Sequence, residues 1–270
     1  MLTLRFTSDT LIPVEAECLC ADQLQPLSKT EIERLPVQHG NAQVPLAEFF
    51  EITGDATDGQ IRIEGDCRRV KRIGVQMKAG VIEIDGSAGM HLGADMTGGL
   101  IRVHGDVGDW AGAEMLGGRI DVLGNAGDYL GAGYRGARRG MRGGSILVHG
   151  NAGNEVGSVM RRGLIAIGGQ AGDFVGVSMI AGTILVFGDV GIRTGAGMKR
   201  GTIGAFGNRP KLLPTFRESC VYRPPFLPLY VQKLHEWGLN SAAKLALDSW
   251  ARFCGDLVTL GKGEIFCRPQ

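Results

Sequence analysis

Apolar and polar residues alternate in short stretches throughout the middle of the chain, as in Ile61-Arg-Ile63, Ile82-Glu-Ile84, Ile101-Arg-Val103 and Ile120-Asp-Val122. A period of two over so short a run predicts a β-strand with one apolar face. Each stretch begins two residues after a glycine, and the glycines Gly59, Gly80, Gly99, Gly118, Gly144, Gly163, Gly182 and Gly201 are separated by 21, 19, 19, 26, 19, 19 and 19 residues. The first apolar position is isoleucine in every repeat: Ile61, Ile82, Ile101, Ile120, Ile146, Ile165, Ile184 and Ile203. Near the end of each full repeat stands a methionine, at Met77, Met96, Met115, Met141, Met160, Met179 and Met198. One short strand cannot bury its own apolar face, but stacked repeats bury a continuous column. The pattern therefore predicts a mainly β fold, a right-handed parallel β-helix (solenoid) of about eight 19-residue coils with Ile, Val and Met inside. A nonapeptide calcium roll and a left-handed hexapeptide helix have repeats that do not match this spacing.

The flanks follow other rules. Residues 1–58 should form an N-terminal capping segment, with a strand over Leu2–Phe6 and a short helix opened by the Ser28/Glu31 capping-box spacing. Residues 59–207 are the Gly-rich β-helix. Residues 208–270 should form a C-terminal helical segment packing on the solenoid, with a Pro-rich entry from Pro210 to Pro228. One or two amphipathic helices are expected over roughly 229–253, broken near Gly238, before a last strand near Glu264–Cys267.

Composition narrows the class. Of the 44 glycines among 270 residues, 38 fall between Gly59 and Gly207 without a G-X-Y triplet, which excludes collagen. With 44% hydrophobic residues the chain can bury a core, so disorder is excluded as well. Recurrent glycines imply corners of positive φ or close approach between stacked turns. A net charge of +1 gives no bias toward nucleic acid or membranes. The N-terminus shows no secretory run and no stretch approaches 18 apolar residues, so a cytoplasmic protein without membrane attachment is expected. The six cysteines contain no C-x-x-C pair and read as reduced thiols rather than a metal site.

Several motifs dissolve into the repeat. Gly131-Ala-Gly133-Tyr-Arg-Gly136 spells the dinucleotide fingerprint but sits in register among other glycines, where no strand-to-helix turn is expected. The methionines read as an interior ladder rather than a soft-metal site. His104 and His149 share a repeat position two coils apart, too far to share a zinc ion, and His104 should neighbour Asp85. Asp66, Asp106, Asn125, Asn151, Asp189 and Asn208 each follow a glycine. Such a ladder could bind cations or do acid/base work, but turn chemistry alone would produce it.

One irregularity is not explained by the period. The fourth repeat carries seven extra residues within Gly133-YRGARRGMR-Gly143, bringing Arg135, Arg138, Arg139 and Arg142 with no acidic residue among them. Lys78, Arg161, Arg162, Lys199 and Arg200 occupy the same corner in other repeats, so stacking should align them on one basic edge. Guanidinium forks suit carboxylates and phosphates, which points to an acidic tail or partner surface; the alternative is a solvated face. A second basic run, Arg68, Arg69, Lys71 and Arg72, falls at the other insertion, on a different side.

The repeat unit resembles the Gly-rich solenoid of glutamate synthase large subunits and of the C subunit of formylmethanofuran dehydrogenase. With RRGMRGG at 138–144, MRRG at 160–163, LLPTF at 212–216 and GKGEI at 261–265, the chain is similar over nearly its whole length to the C subunit of the bacterial formyltransferase/hydrolase complex. The resemblance implies a non-catalytic scaffold subunit. Its partners would be the hydrolase-like A and B subunits and the formyltransferase D subunit, moving formyl groups from formyl-tetrahydromethanopterin through methylofuran to formate in formaldehyde oxidation. No catalytic or metal-ligating residue of the family maps onto the chain, and no cofactor is assigned to it. Methylofuran-type cofactors carry polyglutamate tails, so Arg135, Arg138, Arg139, Arg142, Arg161 and Arg162 are candidates to dock such a tail or an acidic partner. The alternatives are the C subunit of a formylmethanofuran dehydrogenase, an oxidoreductase, and a free-standing β-helical lyase or hydrolase.

Overall fold

The structure is a computed structural model of the 270-residue chain and describes residues 1–241 and 249–270. The chain opens with β1 (Leu2–Phe6), β2 (Val14–Glu15), α1 (Ala21–Leu24), α2 (Lys29–Glu33), β3 (Pro36–His39), β4 (Ala42–Pro45) and β5 (Phe50–Gly54). The capping box forms as its spacing predicts: the Ser28 hydroxyl accepts from the Glu31 N–H, and the Ser28 N–H donates to the Glu31 carboxylate at 2.8 Å.

The repeats then deliver one strand each: β6 (Gln60–Glu64), β8 (Val81–Ile84), β9 (Leu100–Val103), β10 (Arg119–Val122), β11 (Ser145–Val148), β12 (Leu164–Ile167), β13 (Thr183–Val186) and β14 (Arg200–Ala205). A two-residue strand, β7 (Val70–Lys71), lies in the first insertion. All eight repeat strands pair in parallel, in sequence order, within one 13-stranded sheet. The eight isoleucines are direct register partners from Ile61↔Ile82 through Ile184↔Ile203. A second parallel ladder of single bridges runs Cys67↔Ala88↔Val107↔Ala126↔Ala152↔Ala171↔Val190, so each repeat contacts the next on two sides. The isoleucines and all seven repeat methionines are fully buried in one continuous core. The methionines thus form the interior ladder that their spacing predicts.

The two ends of the sheet are built differently. At one end β1 pairs in parallel with β6, placing Leu2 beside Ile61, and β5 runs antiparallel on its outer side. At the other, β17 (Lys262–Cys267) joins β14 in parallel and adds Ile265 to the isoleucine column, while β16 (Trp250–Gly255) and β15 (Arg217–Tyr222) follow antiparallel. A small second sheet has the order β4-β3-β2-β7.

The C-terminal helical expectation needs correcting. One helix, α3 (Leu227–Glu236), does form, and the chain turns at Gly238 (φ +91°) as expected. Trp250–Phe253, however, belongs to β16 rather than to a helix, and β15 lies inside the stretch read as Pro-rich entry. β16 is recruited by pairing with β17 and β15 by pairing with β16, long-range effects that override the local pattern. The part of the second expected helix over 242–248 lies outside the described residues. No helix among the described residues is long and apolar enough to cross a membrane.

Glycine has two separate uses here. Gly99 takes φ +84°, and its counterparts Gly80, Gly118, Gly144, Gly163, Gly182 and Gly201 are likewise left-handed. Gly105 does not; a Cβ there would sit 2.8 Å from the Gly86 carbonyl carbon one repeat earlier. Left-handed backbone is not confined to glycine. Arg72, His91, Trp110, Tyr129, Glu155, Phe174 and Arg193 occupy one repeat position with φ between 54° and 68°. Gln76, Asp95, Glu114, Val159 and Ser178 occupy another, four residues later, with φ between 51° and 60°.

Candidate functional site

The seven extra residues of the fourth repeat leave the ladder intact, since β10 and β11 pair in the same register as their neighbours. The insertion therefore loops out at 134–140. Its two feet are fixed by backbone bonds, Gly133 N–H to Ser158 O at 3.2 Å and Gly140 N–H to Val159 O at 2.9 Å. Tyr134 then folds back over the preceding repeats. Its N–H donates to the Glu114 carboxylate at 3.2 Å, its hydroxyl lies 3.1 Å from His91 Nδ1, and its ring stacks on Trp110. Trp110 in turn stacks on Tyr129, with centroids 4.3 Å apart. His91, Trp110 and Tyr129 share a left-handed repeat position, which points their rings outward as a column.

Charge surrounds this column. Burial, then the neighbouring Glu114 carboxylate, raises the Asp95 carboxyl, against the pull of Arg142 and Arg72. Burial pushes the Tyr134 phenol up to about 12, and burial followed by Arg72 and Lys71 lowers the His91 imidazole. Tyr134 is therefore a neutral donor or acceptor at physiological pH, anchoring the loop without charge.

The six arginines singled out above do not all come together. Arg135, Arg138 and Arg139 are exposed on the loop, whose feet rest on the fifth repeat just before Arg161. Arg142, Arg161 and Lys199 lie in one column, because the Arg142, Arg161, Ile180 and Lys199 N–H groups each donate to the preceding repeat's methionine carbonyl at 2.7–2.9 Å. Arg161, Arg162, Lys199 and Arg200 line a trough of about 470 Å³ with Ile180 and Leu260. Lys78 sits at the column's far end, separated from Arg142 by Thr97 and Leu116. None of these arginines takes part in an ion pair among the described residues, and Arg142 Nε is buried without a hydrogen-bond partner. The other basic run differs, since Arg68 is held by Asp66 and Arg72 by Glu17.

Other expectations are refined or overturned. His104 follows the register partner of Ile84 and so sits beside Asp85 as expected, but its side chain bonds Glu83, 2.9 Å from Nε2, while Asp85 accepts from Arg62 Nε at 2.9 Å. The aspartate and asparagine ladder is turn chemistry of a particular kind. The side-chain oxygens of Asp106, Asn125, Asn151 and Asp189 accept the backbone N–H at the same position one repeat later, as Asp106 does from Asn125 at 2.7 Å and Asn125 from Asn151 at 2.8 Å, whereas Asp66 accepts from the Arg68 N–H two residues on. A second such ladder, through Asp109, Asp128, Asn154 and Asp173, was not picked out from the sequence. Its signal was available, as a second Gly-[Asp/Asn] pair three residues after the first. Gly131–Gly136 leads into no helix, so the dinucleotide fingerprint has no structural basis there. The aromatic column also escaped the sequence reading, because its repeat position holds a different residue type in nearly every turn.

No family model matches the sequence. Among curated proteins, the C subunit of molybdenum-containing formylmethanofuran dehydrogenase 1 from Methanosarcina barkeri is 48% identical over 85 residues, 30% of this chain and 28% of that protein. The C subunit of tungsten-containing formylmethanofuran dehydrogenase 2 from Methanococcus maripaludis is 34% identical over 92 residues, 34% of each. The chain thus spans about a third or less of the length of these relatives. A chain in the crystal structure of the formyltransferase/hydrolase complex from Methylorubrum extorquens, in complex with methylofuran, matches with a TM-score of 0.91 and 36% identity, covering 99% of this chain and 100% of that one. The chain belongs to the same family as that chain of the formyltransferase/hydrolase complex.

Proposed function

We propose that the chain is a non-catalytic scaffold subunit of a formyltransferase/hydrolase complex, in which formyl groups pass from formyl-tetrahydromethanopterin through methylofuran to formate. The observation that carries this reading is the 36% identity, end to end, with one chain of such a complex. In this reading 59–207 form a right-handed solenoid of eight coils, 1–58 and 208–270 cap its ends, and three other subunits assemble on its sides in the cytoplasm. Mass spectrometry of the native complex pulled down through this chain tests it. The hydrolase-like A and B subunits and the formyltransferase D subunit should co-purify, and the isolated chain should lack activity.

A second reading, the C subunit of a formylmethanofuran dehydrogenase, draws on the 48% identity to the Methanosarcina barkeri protein. Molybdenum or tungsten in the purified complex would decide for it. Within either assembly, the loop arginines Arg135, Arg138, Arg139 and Arg142, with Arg161 and Arg162, would dock a polyglutamate cofactor tail or an acidic partner surface. Their lack of acidic partners among the described residues supports this. Changing Arg135, Arg138 and Arg139 together to Glu should weaken assembly or cofactor retention; an intact, fully loaded complex from that variant would sink the idea.

A further inference from the structure

A cleft of about 710 Å³ opens between α3 and the sheet. Its floor consists of consecutive repeats at the same two positions, Gly144-Ser145, Gly163-Leu164 and Gly182-Thr183. Because the first of each pair is glycine, the floor itself projects no side chain at those three positions. The opposite wall is one face of α3 and the turn after it, where Phe226, Leu229, Tyr230, Lys233 and Trp237 follow helical spacing. Leu229 is 69% exposed although Leu227, Val231 and Leu234 of the same helix are buried against the sheet. Phe226, Tyr230 and Trp237 pack partly against the sheet, and Leu229 is left as an exposed apolar side chain at the mouth of the cleft. Thr183 Oγ1 and Tyr230 Oη, 3.2 Å apart, tie the two walls together.

Arg162 and Gly182 line both this cleft and the basic trough, so the two are continuous across the glycine column. Beyond Arg162 the trough presents Arg161, Lys199 and Arg200, and Lys262 is the register partner of Arg200 on the adjoining strand. None of these five cations is in an ion pair among the described residues. No acidic residue among those described lines either cavity. An apolar slot that opens into a row of uncompensated cations is complementary to an occupant with an apolar anchor at one end and several carboxylates at the other.

We infer that the α3 cleft and the trough together form a docking groove for an acidic peptide segment of a partner subunit, with an aromatic or aliphatic anchor in the cleft and Asp/Glu side chains along the trough. The inference rests on the reading of the chain as one subunit of an assembly; it shares Arg161 and Arg162 with the basic surface proposed above and extends from them away from the 134–140 loop. Peptide docking of this type gains orientation from the anchor and on-rate from the charges.

The test measures fluorescence anisotropy of labelled synthetic peptides with the full-length chain at low and high salt. The probes are a Phe followed by six Glu, a Phe followed by six Ser, and six Glu alone. The anchored acidic peptide should bind at least tenfold more tightly than either control and should weaken with salt. Leu229→Asp and the pair Arg162→Glu/Lys199→Glu, all at exposed sites, should each lower its affinity at least tenfold while circular dichroism stays unchanged. Equal binding of the anchored acidic peptide and six Glu, equal binding of both Phe peptides, or no loss in either variant would overturn the proposal. The assembly reading is tested separately by native mass spectrometry and can survive that failure.

Discussion

The ring of Tyr134 lies on the indole of Trp110, with centroids 5.1 Å apart and planes 28° from parallel, although the two belong to different repeats. This contact, with the hydroxyl beside His91, holds the root of the arginine loop. An aromatic pair adds about 0.5–1.5 kcal/mol beyond its buried area, and a hydrogen bond about 0.5–1.5 kcal/mol. Tyr134→Phe should lose only the second, and Tyr134→Ala both. Limited trypsin digestion should then cut after Arg135, Arg138 and Arg139 faster in Tyr134→Phe than in the natural chain, and fastest in Tyr134→Ala. Identical rates in all three would mean that Tyr134 does not hold the loop.

The two uses of glycine separate under substitution. At Gly105 an added methyl meets the backbone of Gly86 and Ser87 at 2.8 Å, and backbone cannot move aside without displacing the ladder. Overpacking of this kind costs about 1–3 kcal/mol or more. At Gly136, on the loop, φ is +85° but no atom lies within 4 Å of the added Cβ, so only the left-handed backbone is disfavoured, by about 1–2 kcal/mol. Urea unfolding should show Gly105→Ala to be the more destabilised; the reverse order would contradict the close-approach explanation.

Asp121 carries the pH dependence most open to a direct check. Its side chain is 3% exposed, between Arg119 at 2.9 Å and Arg102 at 3.5 Å, and one carboxylate oxygen has no hydrogen-bond partner among the described residues. Burial outweighs the two guanidiniums and raises the carboxyl above its ordinary value. A carboxyl raised in the folded state holds its proton more readily there than when unfolded. Lowering the pH through the interval between the ordinary and raised values therefore adds stability, and raising it removes that contribution. Relative to Asp121→Asn, the natural chain should gain stability as the pH falls from neutrality toward the ordinary carboxylate range. Denaturant titrations at several pH values check this, and a constant difference would refute it.

The second Asx ladder should behave as a set of single acceptors. Asp128 Oδ1 takes the Asn154 N–H at 2.6 Å, one repeat on. Asp128→Ala should cost about 1 kcal/mol and speed hydrogen exchange at the Asn154 amide, whereas Asp128→Asn should restore both because the acceptor remains. No change in that amide's exchange on going to Ala would show that water replaces the bond without loss.

Which parts of this molecule could be read from residues alone follows from how each is specified. The Ile61-to-Ile203 column and the methionine ladder repeat one residue type at one position, so a single sequence carries eight copies of the same message. The Ser28/Glu31 cap is specified within four residues. Trp250–Phe253 is different: its strand state depends on β17 arriving beside β14, and nothing local announces that. The left-handed corners at His91, Trp110 and Tyr129 are set by hydrogen bonding between repeats, such as Trp110 N–H to Asp128 O at 2.9 Å, and tolerate almost any side chain. Of the candidate arginines, the sequence placed Arg142, Arg161 and Arg162 on one edge, as stacking requires. It had no means of locating the α3 cleft that Arg162 also lines, since a groove between a helix and a glycine column is a property of packing alone.

The outermost strands, β5 and β15, both run opposite to the strands beside them. A stack of identical parallel strands displays at each end the same unsatisfied pattern that its interior satisfies, and so invites another molecule to continue it. Reversal at both ends withdraws that invitation. On β15 it is reinforced by the exposed charges of Arg217 and Glu218. A repeat that could propagate into a filament is thereby terminated as a particle of fixed length, which makes it usable as a component with defined stoichiometry.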